Sequence, residues 1–230
     1  MLLLFDIDAT LIQLKHGVGR AALCEAFIDT YSVDPTPALS GYSFSGRTDR
    51  QIVMDLAQYL DIASSVATEG FETYQRHLEH LMIHRVNHEC LEVLEGVATT
   101  LREAQRFHDL ALVTGNIQRV AFHKLWVGGI NTYFSIGAFG CEYADRSMLP
   151  PLAIHRFNHA YDKDYTNASS VIIGDAPDDV LCALDNGIAA VAVATGEFTT
   201  EELQRSGATI ALPSLADSGR FLDAIASLET

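Results

Sequence analysis

Residues 2–10 read LLLFDIDAT, an apolar run from Leu2 to Phe5 that ends on two aspartates, Asp6 and Asp8. A run with no polar alternation is the pattern of a strand covered on both faces. The pattern returns at Leu110–Val113, Ser170–Ile173 and Ile188–Ala194. Helical periodicities fill the intervals at Gly96–Arg106, Gln118–Trp126, Pro151–Tyr161 and Pro177–Asp185, with Gly128–Gly129 and Gly187 placed as C-caps. Strands alternating with helices predict an α/β fold with a doubly wound parallel sheet. Ligands of such sheets bind beyond the carboxyl ends of the strands, where Asp6 and Asp8 fall.

From about Gln13 to Asn87 the rhythm breaks. Helical patterns cover Gly19–Tyr31, Asp49–Leu60 and Ala67–Arg85, the proline- and glycine-containing run Asp34–Ser45 reads as a loop, and strand-like alternation resumes only after Gly96. The predicted organisation is a core of residues 1–14 and 88–230 carrying an all-helical insertion, residues 15–87, large enough to be a small subdomain.

Composition narrows the function. The 230 residues are 48% hydrophobic and 20% charged, as in an ordinary globular chain. A net charge of −15 with no basic cluster argues against a nucleic-acid partner. An anionic small molecule stays open, because a bound cation can reverse the sign of one cleft. Cys24, Cys90, Cys141 and Cys182 form no close pair, which fits reduced thiols in a cytoplasmic protein. Met1–Phe5 is too short for a signal peptide and no run reaches the length of a membrane span. Nothing in the sequence fixes the oligomeric state.

Three further stretches carry chemistry. Thr114, Gly115 and Asn116 follow the second apolar run and precede a helix, so a hydroxyl and fresh helix N-terminal amides suit a phosphate; the alternative is Thr114 as a helix N-cap. Asp175 follows the third run and Asp179 lies one turn into the next helix, able to face back toward it, whereas Asp178 fits a helix start. Asp6, Asp175 and Asp179 crowded together would raise one another's pKa values. A hard divalent cation relieves that repulsion, and Mg²⁺ binds through a few carboxylates with water and phosphate oxygen. Arg146, in RSMLPP, supplies a cation. Two carboxylates at one strand end invite a division of labour, Asp6 as nucleophile toward phosphorus and Asp8 as acid and then base.

In order and spacing, DIDAT, LVTGN and GDAPDDV resemble the first, second and fourth motifs of the haloacid dehalogenase superfamily, and the insertion resembles that superfamily's helical cap. The resemblance covers nearly the whole chain. It implies a Rossmann-like core and a Mg²⁺-dependent phosphatase, cytoplasmic and acting on a small-molecule phosphate ester, with the metal held by Asp6, the main chain of Asp8, Asp175 and the adjacent Asp179. Retained Asp8 separates the chain from the dehalogenase branch. Two residues depart from the family pattern. Ala9 replaces the usual glycine, so a positive φ there would carry strain. Arg146 stands for the usual lysine of the third motif, its planar fork able to bridge phosphate and carboxylate.

Within the insertion, Thr48 and Gln51 form a capping-box pattern, and Arg47 just before it is placed to reach substrate when the cap closes. This stretch resembles the caps of phosphoglycolate phosphatase-like members. His77, His80, His84 and His88 share a helical stripe that reads as the flank of an amphipathic helix. A phosphomutase of the β-phosphoglucomutase kind uses the same core, but Val18 stands near where its cap histidine is expected. A non-catalytic phosphate-binding relative is the other alternative, supported by Ala9 and the missing lysine.

Overall fold

The computed structural model describes residues 1–229. Its strands are β1 (Leu2–Phe5), β2 (Ile12–Leu14), β3 (Leu91–Val93), β4 (Asp109–Thr114), β5 (Gly137–Phe139), β6 (Ser170–Gly174), β7 (Ala189–Val193) and β8 (Ile210–Leu212). Its α-helices are α1 (Val18–Tyr31), α2 (Asp49–Tyr59), α3 (Ser64–Arg85), α4 (Val97–Ala104), α5 (Gln118–Val127), α6 (Leu149–Tyr161), α7 (Pro177–Asp185), α8 (Thr200–Arg205) and α9 (Ser218–Ala226).

Six strands form one parallel sheet in the order β5-β4-β1-β6-β7-β8. The apolar runs are unbroken because both faces of this sheet are buried. Leu3, Phe5, Leu112, Ile173 and Val191 point into one apolar cluster, and Leu2, Leu4, Ala111, Ile172 and Ala190 into the other. Phe5 is in register with Leu112 on one side and Ile173 on the other. Successive crossovers run to opposite sides of β1, so the strand order reverses there and opens a crevice at the carboxyl ends. Asp6, Thr114 and Asp175 emerge side by side at that crevice.

Two expectations are corrected. Strand pairing does occur at the margins of the insertion: β2 and β3 form an antiparallel ribbon, with Ile12 opposite Val93. Helices α1, α2 and α3 lie between these two strands, and α1 packs along α3. Each ribbon strand has three residues and buries only its first, too little periodicity to announce a strand. The loop at Asp34–Ser45 also contains a short 3-10 turn, Thr36–Leu39. Among the described residues no helix is long and apolar enough to cross a membrane.

Candidate active site

Asp6 leaves β1 with its backbone N–H donated to the Ile173 carbonyl (2.9 Å), and the residue is 6% exposed. Arg146, equally buried, places Nη2 3.1 Å from Asp6 Oδ1 and 2.5 Å from Asp179 Oδ1. The same guanidinium donates to the Val113 and Gly46 carbonyls. The cation of RSMLPP therefore lies against Asp6. Burial works against its charge, yet Asp179 and Asp6 outweigh that and hold its pKa above the ordinary arginine value.

One oxygen from each of Asp6, Asp175 and Asp179 lies within 4.8 Å of the others. Burial, opposed by Arg146 and reinforced by Asp179 and Asp8, pushes Asp6 up to about 6. Burial together with Asp179 and Asp6 pushes Asp175 up to about 8. Three carboxylates against one guanidinium leave the cluster short of positive charge. Asp175 Oδ1 accepts from Thr10 Oγ1 (3.2 Å), while Oδ2 is buried with no hydrogen-bond partner. A Cβ built on Gly196 would fall 1.9 Å from that oxygen, so only glycine permits this close approach. An orphaned buried carboxylate oxygen in a cluster of three carboxylates fits a hard cation such as Mg²⁺.

Asp179 carries a second duty. Its Oδ2 accepts from the Ala176 N–H (3.1 Å) at the start of α7, while Oδ1 holds Arg146. Asp178 lies in the first turn of α7, as its place at a helix start requires, and the carboxylate that closes the α7 N-terminus is that of Asp179. Its two oxygens are thus engaged by the protein, and its plainest role is to orient Arg146.

Asp8 lies at the same mouth and is the more open carboxylate, with its side chain 43% exposed. Asn116 Nδ2 donates to Asp8 Oδ2 (2.7 Å) and to Thr114 Oγ1 (2.9 Å). Thr114 is fully buried and does not cap the following helix, whose N-cap position is Ile117. The N-cap alternative is thereby set aside. The amide at Ile117 is satisfied instead from the insertion, by Asp49 Oδ2 at 2.8 Å. Burial, opposed by that bond and by Lys124, pushes Asp49 up to about 6.

The insertion closes over the crevice through the segment Gly46–Arg50. Asp49 N–H donates to the Gly115 carbonyl (2.8 Å), Arg50 N–H to the Gly140 carbonyl (3.0 Å) and Thr48 Oγ1 to the Ala144 carbonyl (2.8 Å). A Cβ on Gly115 would come within 1.9 Å of the Arg47 carbonyl, which is why the LVTGN turn needs glycine at this approach. Thr48 caps α2 by accepting from the Gln51 N–H (3.0 Å). Arg47 borders the cleft but its Nη1 is tied to Asp55 (2.9 Å), which also accepts from Tyr42 Oη. The exposed His80 and His84 rings lie on α3 with centroids 4.3 Å apart and planes tilted by 41°, away from this cluster.

Ala9 adopts φ +56°, the left-handed conformation that the missing glycine made costly. Its N–H donates to the Ile12 carbonyl (2.7 Å), so the strain is held by the turn. An L-residue there costs about 1–2 kcal/mol, partly offset by the lower entropy of the unfolded alanine chain. Ala9→Gly is expected to raise stability by about 1 kcal/mol, read from denaturant unfolding; a loss of stability would contradict the strain.

Lys124 was not identified from sequence. It is 3% exposed on the inner face of α5, and its Nζ reaches both Asp8 oxygens at 2.7 Å. The signal was available: a lysine at the same helical face as Val120 and Ala121 occupies a core position, and buried lysines require partners.

Asp6, Asp8, Asn116, Lys124, Arg146 and Asp175 line a cavity of about 610 Å³ between insertion and core, with Thr114 and Asp179 buried behind them. Solved structures share the architecture. A predicted phosphatase from Clostridium acetobutylicum is similar at 18% identity and TM-score 0.68, over 96% of this chain and 98% of that one. A β-phosphoglucomutase from Clostridium difficile is similar at 13% identity and TM-score 0.68, over 98% and 96%. A predicted phosphoglycolate phosphatase from Haemophilus somnus 129pt is similar at 17% identity and TM-score 0.63, over 96% and 97%. No curated protein matches the chain. The family model for haloacid dehalogenase-like hydrolase matches residues 3–193, spanning the β1 aspartates, the Thr114 turn and the Asp175 strand end, and the chain belongs to that family.

Proposed function

We propose that this protein is a Mg²⁺-dependent phosphomonoesterase that hydrolyses a small phosphorylated metabolite through an aspartyl phosphate on Asp6. The observation that carries the reading is the contact of Arg146 with Asp6 at the mouth of β1, with Asp8 opening onto the same cavity. Asp6, Asp175 and the main chain of Asp8 would hold the metal, with Asp179 adjacent. Bound there, Mg²⁺ supplies positive charge to the phosphoryl oxygens.

Asp6 attacks phosphorus, the bond to the ester oxygen breaks, and that oxygen takes a proton from Asp8. Asp8, now a carboxylate, takes a proton from water, which attacks phosphorus and releases Asp6 with inorganic phosphate. Arg146 stabilises charge on Asp6 and the transferring group. Thr114, Gly115 and Asn116 bind the phosphate, the Thr114 hydroxyl accepting from Asn116 and keeping its proton for a phosphoryl oxygen. The remainder of the cavity is bordered by Leu23, Phe44, Ile52, Leu78, Met82 and Val120, which suits the organic body of an ester. Arg47 borders this region as a substrate contact whose charge is shared with Asp55. Among the described residues no histidine borders the cavity, which favours hydrolysis over the mutase alternative.

The test is phosphate release from a panel of phosphosugars, phosphoglycolate, nucleotides and flavin phosphates, with Mg²⁺ and with chelator. Activity should vanish on chelation and return with Mg²⁺; turnover of no ester, or turnover indifferent to chelator, would sink the reading. Asp175→Ala should weaken Mg²⁺ binding more than Asp178→Ala. The raised carboxyls set a sign for pH. Their stabilising contribution to the metal-free fold is full below the unfolded value of 3.8 and is lost as pH rises through about 6 and about 8. Mg²⁺ requires the deprotonated forms, so its affinity, measured by calorimetry, should rise across that same interval.

A further inference from the structure

The reaction scheme leaves the buried ammonium of Lys124 without a role. Lys124 projects from the middle of α5, packed among Val120, Ala121 and Leu125. An ammonium has three donors, and here all three find oxygens of the site: Asp8 Oδ1 and Oδ2 at 2.7 Å each and Asn116 Oδ1 at 2.6 Å. Asn116 then donates to Asp8 and to Thr114, so a single network joins the carboxylate to the phosphate-binding turn. A carboxylate on a half-exposed side chain would otherwise sample several rotamers. Arg146 does not supply this restraint, since its partners are Asp6, Asp179, Val113 and Gly46.

We infer that Lys124 is a positioning residue for Asp8. Through Asn116 it fixes the proton-transferring carboxylate relative to the turn Thr114–Asn116, whose Gly115 and Asn116 border the cavity, and hence to a phosphoryl group held there. The site thus has two cations with separate duties, Arg146 on the nucleophile and Lys124 on the acid–base. This inference rests on the reading of Asp8 as acid and base.

The test compares wild type, Lys124→Met, Asp8→Asn and the double variant, all with Mg²⁺. Methionine keeps the length and apolar stem of the lysine. The Asp8 carboxylate left behind is open to water, so the variant is expected to fold, which circular dichroism checks. With an alkyl phosphate, Lys124→Met should lower kcat roughly tenfold to a hundredfold, a part of the roughly hundredfold to ten-thousandfold that acid–base catalysis supplies, with KM changed less than about twofold. With an aryl phosphate of good leaving ability, kcat/KM should fall less than about threefold, because the departing oxygen needs little protonation. In the Asp8→Asn background, Lys124→Met should cost less than about twofold further. Equal losses on both esters, or a full additional loss in the double variant, would overturn the inference alone. Wild-type turnover in Asp8→Asn would overturn it together with the acid–base reading.

Discussion

Asp6→Asn is expected to lower kcat by several orders of magnitude while the protein stays folded. The amide keeps the shape of the carboxylate and still accepts from Arg146 Nη2, so the packing around β1 has no reason to change. It removes one of three crowded carboxylates, and the melting temperature without metal should be unchanged or higher. Activity and stability therefore move independently, which separates loss of a nucleophile from loss of fold. Steady-state phosphate release and thermal unfolding of the same preparation read both. Near wild-type hydrolysis by Asp6→Asn would remove the aspartyl route.

Arg146→Ala carries the next largest effect, and two magnitudes bear on it. Loss of charge stabilisation at the transferring group is typically worth about 2.7–4 kcal/mol, or roughly a hundredfold or more in kcat. Breaking a buried ion pair by removing one partner typically costs about 3–5 kcal/mol of stability. Here the abandoned partners are Asp6 and Asp179, with Asp175 beside them, so the alanine variant should lose both activity and much of its stability. Arg146→Lys separates the two losses. An ammonium keeps the charge and should restore most of the melting temperature. It cannot reach Asp6, Asp179 and the Val113 and Gly46 carbonyls at once, so kcat should recover only in part. Full recovery of kcat in Arg146→Lys would show that charge alone suffices.

The core was legible because a parallel sheet buried on both faces writes itself as unbroken apolar runs, and the aspartates at their ends mark the crevice. Arg146 was legible from the order of the motifs. What stayed hidden depended on contacts between distant segments. The ribbon strands β2 and β3 bury one residue each, and only their pairing makes them strands. Arg47 borders the cleft with its guanidinium tied to Asp55, while its neighbours Thr48, Asp49 and Arg50 make contacts to the core that sequence order alone does not show. The partner of Lys124 lies 116 positions away in sequence, so the helix pattern could mark it as misplaced without naming Asp8.

The central claim is a covalent phosphoryl group on Asp6, and trapping it is the most direct measurement. Asp8→Asn favours accumulation when the substrate is an aryl phosphate, because such an ester forms the intermediate with little acid assistance while its hydrolysis lacks a base. The protein is mixed with substrate and Mg²⁺, quenched in acid, reduced with borohydride and mapped by mass spectrometry. Conversion of residue 6 from aspartate to homoserine is the predicted result. An unmodified Asp6 under turnover, together with inversion of configuration at phosphorus, would mean that water attacks the ester directly and would contradict the account.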